Sequence, residues 1–431
     1  MDKIKYIGFV NELKWRGMVH DAIPGTDETL NEGPCAGYIG FDPTASSLTV
    51  GNLVTVMMLV HFQRAGHKPI ALVGGATGMI GDPSGKDEER KLLDEKTLQE
   101  NLKCIETQLR KFLDFDCQNN PAEMVNNLDF YKDMDLFTFF RDIGKHLTVS
   151  YMTSKDSVKS RLESGMSFTE FSYQLFQAYD FRELFKNKDC ILQMGGSDQW
   201  GNITSGTELI RRMDGGKALA LTCPLLTKSD GTKFGKTEAG NIWLDRDRTS
   251  PYKFYQFWLN SSDEDASKFI RIFSIRSHSE IEKLEKEHAA APHSRVLQKE
   301  LAIEITTRVH SEKDCSAAIA ASEVLFGKGT TQSLQELTEE TLLDVFSGVP
   351  QSELSKAELE KGIGIIDFLS ESTSVLPSKG EARRTIKGGG ISINKSKVMD
   401  ENATVSTQDL LNGKYILIQR GKKNYHLVSV K

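Results

Sequence analysis

The 431-residue chain lacks most of the features that would assign it to a special class. No stretch approaches the roughly 18 consecutive apolar residues of a membrane-spanning helix. The opening Met1-Asp2-Lys3-Ile4-Lys5-Tyr6 has no apolar core of a secretory signal. Both absences lead us to expect a cytoplasmic protein with no membrane partner. The six cysteines, at positions 35, 104, 117, 190, 223 and 315, form no C-x-x-C pair. No clustered histidines complete a zinc-ligand spacing, so neither a disulfide framework nor a structural metal is expected. Ser-His-Asp and Cys-His constellations for nucleophilic catalysis are missing as well. There is no internal repeat and no low-complexity tract.

What is present is an ordinary globular composition, 39% hydrophobic and 26% charged, long enough for several domains. The formal net charge is −6, which by itself argues against a polyanionic partner. Its distribution argues the other way. From Pro377 to Lys431 there are eleven Lys and Arg against four Asp and Glu, so that stretch carries +7 and the remainder −13. A basic module on an acidic body fits an anionic polymer, although a solvated charged face gives the same count.

Hydrophobic patterning predicts a short strand over Cys35–Phe41, a helix over Asn52–Ala65 and a buried strand over Pro69–Val73. A glycine cluster follows from Gly74 to Gly85, and a further strand, Ile191–Met194, runs into Gly195-Gly196. Strand, turn, helix, strand and glycine loop are the opening of a parallel α/β domain. Two near-motifs in the glycine cluster fail. Gly81–Lys86 is one residue short of a Walker A loop and has Asp87 where a Ser or Thr must hold magnesium. Ala76–Gly81 begins with Ala where the dinucleotide fingerprint needs Gly.

Three segments carry chemistry. The first is Phe41-Asp42-Pro43-Thr44-Ala45-Ser46-Ser47-Leu48-Thr49-Val50-Gly51-Asn52. Here a strand ends, the chain turns at Pro43, and a helix begins whose N-terminal amides and dipole suit a phosphate. Gly51 lets a purine or ribose approach the backbone. The second is Lys233-Phe234-Gly235-Lys236-Thr237, after a polar loop that turns at Asp230-Gly231. Two lysines on a mobile loop can close over a triphosphate. The third is Gly195-Gly196-Ser197-Asp198-Gln199-Trp200-Gly201-Asn202. A fourth stretch, Tyr173–Asp180, reads as a helix on which Tyr173, Gln177 and Asp180 share one face at i, i+4 and i+7. Aromatics at that spacing are ordinary core, but a Gln and an Asp on the same face need partners.

Together these segments resemble class I aminoacyl-tRNA synthetases, and among them the bacterial tyrosyl-tRNA synthetases, over nearly the whole chain. The first two stand at the HIGH and KMSKS positions of that class. The resemblance implies an α/β fold: a Rossmann-like parallel-sheet catalytic domain over 1–260, an α-helical anticodon-recognition domain over 261–330, a linker over 331–355 and a small α+β S4-like RNA-binding domain over 356–431. It also implies ATP as substrate with accompanying Mg2+, L-tyrosine and tRNA(Tyr) as partners, and a homodimer. Catalytic roles fall on Thr44, Thr49, Asn52, Lys86, Arg90, Lys233, Lys236 and Thr237. ATP would also meet Gly40, Asp42, Gly51, Asp198 and Gln199. Tyrosine would be held by Tyr38, Asp82, Tyr173, Gln177, Asp180 and Gln193, with Tyr38 and Asp180 reading the phenolic hydroxyl. A site built to bond a hydroxyl rejects the analogue that lacks it, a rule for which tyrosyl enzymes are the standard illustration. That pair separates the tyrosine reading from its tryptophan rival.

Ser378-Lys379-Gly380-Glu381 has capping-box spacing and starts a basic helix with Arg383, Arg384 and Lys387, which the resemblance assigns to RNA phosphates. One departure stands out. Thr49 and Asn52 replace both histidines of the HIGH pattern. Three outcomes fit it: a tolerant site, slowed activation, or an RNA-binding protein on a synthetase scaffold. The lysines at 233 and 236, with Asp180 and Gln199, argue for a working enzyme.

Overall fold

In the computed structural model the described residues are 8–85, 93–162, 165–237, 240–326, 330–421 and 424–431. They form two compact units, Met1–Arg248 with Trp258–Val309, and Thr249–Phe257 with His310–Lys431.

The first unit is built on a six-stranded sheet. Its strands are β1 (Asp21–Ala22), β2 (Ala36–Phe41), β3 (Lys68–Val73), β4 (Glu123–Asn126), β5 (Cys190–Gly196) and β6 (Leu219–Cys223), in the order β1-β6-β5-β2-β3-β4. All neighbours run parallel except β1, which lies antiparallel along β6. Strand β3 reads Lys-Pro-Ile-Ala-Leu-Val, and the last five residues are buried, the unbroken apolar run expected where helices cover both faces. The strands anticipated at 35–41, 69–73 and 191–194 are all present within a residue or two. Strand β4, only four residues with two of them apolar, was not legible in the sequence.

Chain order dictates where a ligand can sit. From β2 the chain moves outward through β3 and β4, then returns to the other side of β2 as β5 and β6. The carboxyl ends of β2 and β5 therefore flank the point where winding reverses, which is where open α/β sheets leave a crevice. Three helices frame it: α1 (Val50–Arg64), α2 (Phe168–Lys188) and α3 (Trp200–Asp214). At the start of α2, Glu170 forms a two-pronged ion pair with Arg161, with nitrogen–oxygen distances of 3.1 and 2.9 Å, and both residues are buried.

The helical stretch expected as a separate domain over 261–330 is divided. Helices Asp263–Phe273, His278–Ala290 and Val296–Val309 belong to the first unit, whereas Glu312–Phe326 belongs to the second. The reason is apolar packing. Phe234, from the Lys233–Thr237 segment, is buried against Phe269, Phe273 and Trp258, with ring centroids 4.7, 5.5 and 5.8 Å away. The buried Arg16 also donates to the carbonyls of Arg271 and Ser274, stitching the N-terminal helix to the same region.

The structure differs again at 331–355, expected as a linker. It holds helices Thr331–Gln335 and Glu339–Val345 and the strand Gln351–Leu354. That strand pairs parallel with Asn424–Val430 at the edge of a five-stranded sheet, which continues through Tyr415–Arg420 and Ile391–Ile393 to Ser396–Lys397. Leu354 joins the core of that sheet, so a segment without internal periodicity is fixed by a distant partner. The helix Lys379–Lys387 starts where anticipated, but only half of its capping box forms. Ser378 accepts from the Glu381 amide at 3.2 Å, while the Glu381 carboxylate turns to Arg420 at 3.0 Å.

The Arg161–Glu170 pair gives a direct test. Removing one partner of a buried ion pair typically costs about 3–5 kcal/mol. Glu170→Ala is expected to lower the unfolding free energy by that amount in chemical denaturation. A loss under about 1 kcal/mol would mean that the pair is effectively solvated.

Candidate active site

A cavity of about 340 Å³ opens at the carboxyl ends of β2 and β5. Tyr38 and Gln193 lie side by side in the sheet register and both face it. From α2 come Tyr173, Gln177 and Asp180, so the i, i+4, i+7 spacing does aim all three at one space. Gly40, Asp42, Thr44, Gly51, Asn52, Asp82, Asp198, Gln199 and Lys233 complete the anticipated set on its walls. Not all candidates are there. Lys236 and Thr237 are exposed in a two-residue ladder with Gly240–Asn241 and do not line the cavity. Thr49 caps α1 beside it. Lys86 and Arg90 lie outside the described residues. Arg383, Arg384 and Lys387 are exposed on the helix of the second unit.

One end of the cavity is a buried polar network. Asp180 is 2% exposed. Its Oδ2 accepts from the Asn127 amide at 2.9 Å and its Oδ1 from the Tyr131 hydroxyl at 2.7 Å. Burial pushes the Asp180 carboxyl up to about 7, against the opposing pull of those two donors. Asn127 is itself locked. The Ala76 backbone N–H can only donate, so the atom facing it at 2.7 Å must be the Asn127 oxygen, which turns the amide nitrogen to Asp180 and Thr77. Thr77 passes its hydroxyl to Asp42 Oδ1 at 2.7 Å, and Tyr173 donates to Asp42 Oδ2 at 2.7 Å. Burial and Asp42 hold the Tyr173 phenol well above its ordinary value, so it remains a donor. Gly74 is obligatory here, since a Cβ on it would stand 2.1 Å from Asp42 Oδ1.

The Tyr38 hydroxyl, fully buried next to Asp180, has no hydrogen-bond partner among the described residues. The side-chain oxygens of Gln177 and Gln193 share that condition. Buried polar atoms are rarely left so, and three around one cavity mark a place built for a polar ligand. Asp82 is held by the Ser84 amide at 3.0 Å, Gln199 at 2.7 Å and Asn202 at 3.3 Å.

The other end is the N-terminus of α1. Asn52 Oδ1 accepts from the Thr49 backbone N–H at 3.0 Å and from the Thr49 hydroxyl at 2.8 Å. The same logic fixes this amide: its oxygen is committed to the cap and its nitrogen is left to donate. The Lys233–Lys236 loop is brought here by backbone pairing. Val50 N–H bonds Ile242 O at 3.0 Å, Ile242 N–H bonds Gly235 O at 2.9 Å, and Thr49 bridges Trp243. Gly235, at φ 79°, packs so closely on the start of α1 that a Cβ would stand 2.7 Å from Val50. Phe234 is the buried anchor and Lys233 the cation presented to the cavity.

Residues to which the sequence assigned no role are Thr77, Ser84, Asn127, Tyr131 and Asn202. Asn127 and Tyr131 follow the unrecognised strand β4, so their position beside Asp180 had no local signal.

Comparison with known proteins follows the same geometry. Residues 30–327 match the family model of class I tRNA synthetases for tryptophan and tyrosine, and residues 341–428 match that of the C-terminal domain of SYY-like tyrosine–tRNA ligases. The chain is 60% identical over 430 residues to a tyrosine–tRNA ligase of Porphyromonas gingivalis, covering 99% of this chain and all of that one. It is 63% identical to one of Cytophaga hutchinsonii, covering 97% of this chain and 99% of the other. Among solved structures, a C-terminally truncated mitochondrial tyrosyl-tRNA synthetase of Aspergillus nidulans superposes with a TM-score of 0.68 at 30% identity, over 75% of this chain and 96% of that one.

The unpartnered Tyr38 hydroxyl carries a prediction independent of chemistry. Tyr38→Phe should leave the unfolding free energy of the ligand-free protein unchanged or raise it by about 1 kcal/mol, because a buried hydroxyl without a partner is a cost. Tyr173→Phe, which breaks a bond to a carboxylate, should lower it by about 1.5–3 kcal/mol. Equal losses in the two variants would show that Tyr38 is satisfied in the folded protein.

Proposed function

The chain belongs to the class I tRNA synthetases for tryptophan and tyrosine, and we propose that the cavity between β2 and β5 is where it performs tyrosine–tRNA ligation, with tyrosine at the Asp180 end and ATP at the α1 end. The observation that carries this orientation is the fully buried, unpartnered Tyr38 hydroxyl beside the buried Asp180 carboxylate. A phenol entering there donates to Asp180 and accepts from Tyr38. Phenylalanine and tryptophan bring no hydroxyl, so Tyr38 stays unpaired and Asp180, already bonded to Asn127 and Tyr131, gains no phenolic donor.

The α-ammonium of tyrosine has three groups suited to it. The Tyr173 hydroxyl spends its proton on Asp42 and keeps a lone pair for an incoming N–H. The Gln177 oxygen has no partner among the described residues. Asp82, pinned by Ser84, Gln199 and Asn202, supplies negative charge without rotating. The carboxylate of tyrosine then points toward α1. It attacks the α-phosphorus of ATP, forming tyrosyl-adenylate and expelling pyrophosphate. The 3′-terminal ribose hydroxyl of tRNA(Tyr) next attacks the adenylate carbonyl and releases AMP. No protein nucleophile takes part, so the protein's contribution is positioning and charge. Amides at the start of α1, the Asn52 amide and Lys233 serve the phosphates. Magnesium enters with ATP as part of the substrate.

Two further readings concern partners. Arg383, Arg384 and Lys387 project from one exposed helix of the second unit, an arrangement suited to RNA phosphates. In the first unit Leu136, Phe137, Val149 and Phe168 are 65–80% exposed, and the Phe168 ring lies 6.3 Å from that of Phe140. An apolar surface of this kind suits an isologous contact with a second copy. Phe168 also opens the helix that carries Tyr173, Gln177 and Asp180.

Amino-acid-dependent pyrophosphate exchange tests the central reading. Exchange is expected with tyrosine and not with phenylalanine or tryptophan, and Asn52→Ala is expected to lower kcat about 10- to 100-fold, roughly 1.4–2.7 kcal/mol, with little change in the KM for tyrosine. A normal kcat in that variant would remove Asn52 from the phosphate site. Sedimentation equilibrium checks the second copy: the protein is expected as a dimer and Phe137→Asp as a monomer. A monomeric parent protein at micromolar concentration overturns that part.

A further inference from the structure

Tyr131 lies outside the cavity, yet its hydroxyl reaches the residue that defines one end of it. We propose that Tyr131 is a positioning residue for specificity: by donating to Asp180 it fixes that carboxylate as the acceptor that tells tyrosine from phenylalanine. The inference rests on the assignment of Tyr38 and Asp180 to the substrate hydroxyl.

A carboxylate that recognises a phenol must be ionised, so that it accepts, and must not rotate, so that its free lone pairs keep one direction. Burial works against the first requirement. Two donors restore it, one on each oxygen: the Asn127 amide on Oδ2 and the Tyr131 hydroxyl on Oδ1. With both oxygens pinned from the protein side, the remaining lone pairs are left to a ligand. The Tyr131 proton has two acceptors in reach, Asp180 Oδ1 at 2.7 Å and the Phe176 carbonyl at 3.0 Å. The shorter contact is to the charged one, where a hydrogen bond is stronger. Burial, and then Asp180, keep the Tyr131 phenol far above its ordinary value, so it is a donor at every relevant pH.

The surroundings of Asp180 make this contribution readable. From β2 it faces Tyr38 and, just beyond the strand, Asp42. From the segment after β4 it faces Asn127 and Tyr131. On its own helix it faces Tyr173, Tyr179 and Glu183. Asp42 and Glu183 push its carboxyl up along with burial, Asn127 and Tyr131 pull against them, and the balance stands at about 7. Deleting the Tyr131 hydroxyl removes one of those two pulls. The carboxyl then titrates higher and is protonated at neutral pH. A protonated Asp180 no longer offers the substrate an anionic acceptor, so recognition of tyrosine falls as pH drops through the new value and returns above it. Phenylalanine has no hydroxyl to lose.

Tyr131→Phe tests this with the fold kept, because the ring stays packed against Phe176, Tyr179 and Phe139 at centroid distances of 5.5, 5.5 and 6.2 Å. Pyrophosphate exchange with tyrosine and with phenylalanine is measured on the full chain from pH 6 to 9, with the unfolding midpoint alongside. At pH 7 we expect kcat/KM for tyrosine to fall about 10- to 100-fold, mostly through KM, and to recover toward pH 9. The phenylalanine value stays where it was, so discrimination narrows by the same factor. Losses equal for both amino acids at every pH, or no loss for either, overturn the inference. Absence of tyrosine-dependent exchange in the unsubstituted protein overturns the assignment of Tyr38 and Asp180 beneath it, a different failure from the first.

Discussion

A carboxylate withdrawn from water must be supplied with donors, and Asp180 is the point from which the arrangement of the buried polar end of the cavity can be followed. Burying an isolated carboxylate costs several kcal/mol, enough to neutralise it or to unfold a marginally stable domain. Its donors cannot be improvised from α2 alone, because a helix has used its own amides. They arrive from beyond the edge strand of the sheet, through Asn127 and Tyr131 after β4. Asn127 must in turn be oriented, and the Ala76 backbone amide does that. The chain of bonds continues through Thr77 to Asp42 and back to Tyr173 on α2. Strand ends β2, β3 and β4 and one helix are thereby held in a single polar cluster, which on the proposed assignment the substrate hydroxyl completes.

The opposite end depends on backbone pairing more than on side chains. The two segments proposed to serve ATP are almost two hundred residues apart, and no side-chain attraction between a threonine and a lysine loop would assemble them. The antiparallel contacts of Thr49–Val50 with Ile242–Trp243 do so, with Gly235 admitting the close approach and Phe234 sunk among Phe269, Phe273 and Trp258. This explains why the helices between Asp263 and Val309 pack as part of the first unit. They form the wall against which the lysine loop is anchored.

How much of this the sequence disclosed follows the range of each signal. The period along Tyr173, Gln177 and Asp180 is local, and the three side chains do share the cavity. The glycine cluster and the run Pro69–Val73 announced the sheet. Strand β4 is short and half polar, and its role comes from pairing with β3, so Asn127 and Tyr131 stayed hidden with it. Gln351–Leu354 has the same history: alone it looks like linker, and only Asn424–Val430 makes it a strand. Lys236 and Thr237 show the converse. Their motif is local and plain, yet the lysine that reaches the cavity is Lys233, because the buried Phe234 and the tight Gly235 turn the chain away after it.

The same reasoning bears on the missing histidines. An imidazole at a phosphate site gives a donor whose charge depends on pH near neutrality, since its ordinary value is about 6.5. An amide gives a donor that never changes charge but is ambiguous in orientation. At Asn52 the ambiguity is removed by Thr49, whose backbone N–H faces the amide oxygen and whose hydroxyl accompanies it. On the proposed assignment Thr49 therefore acts on the phosphates through Asn52. What the pair cannot supply is positive charge. On the proposed assignment, charge for the leaving pyrophosphate has to come from elsewhere, and among the described cavity walls Lys233, held by a buried phenylalanine, is placed to offer it. A site arranged this way divides between two segments what one charged histidine could do alone: geometry from the cap of α1, and charge from the loop paired to it.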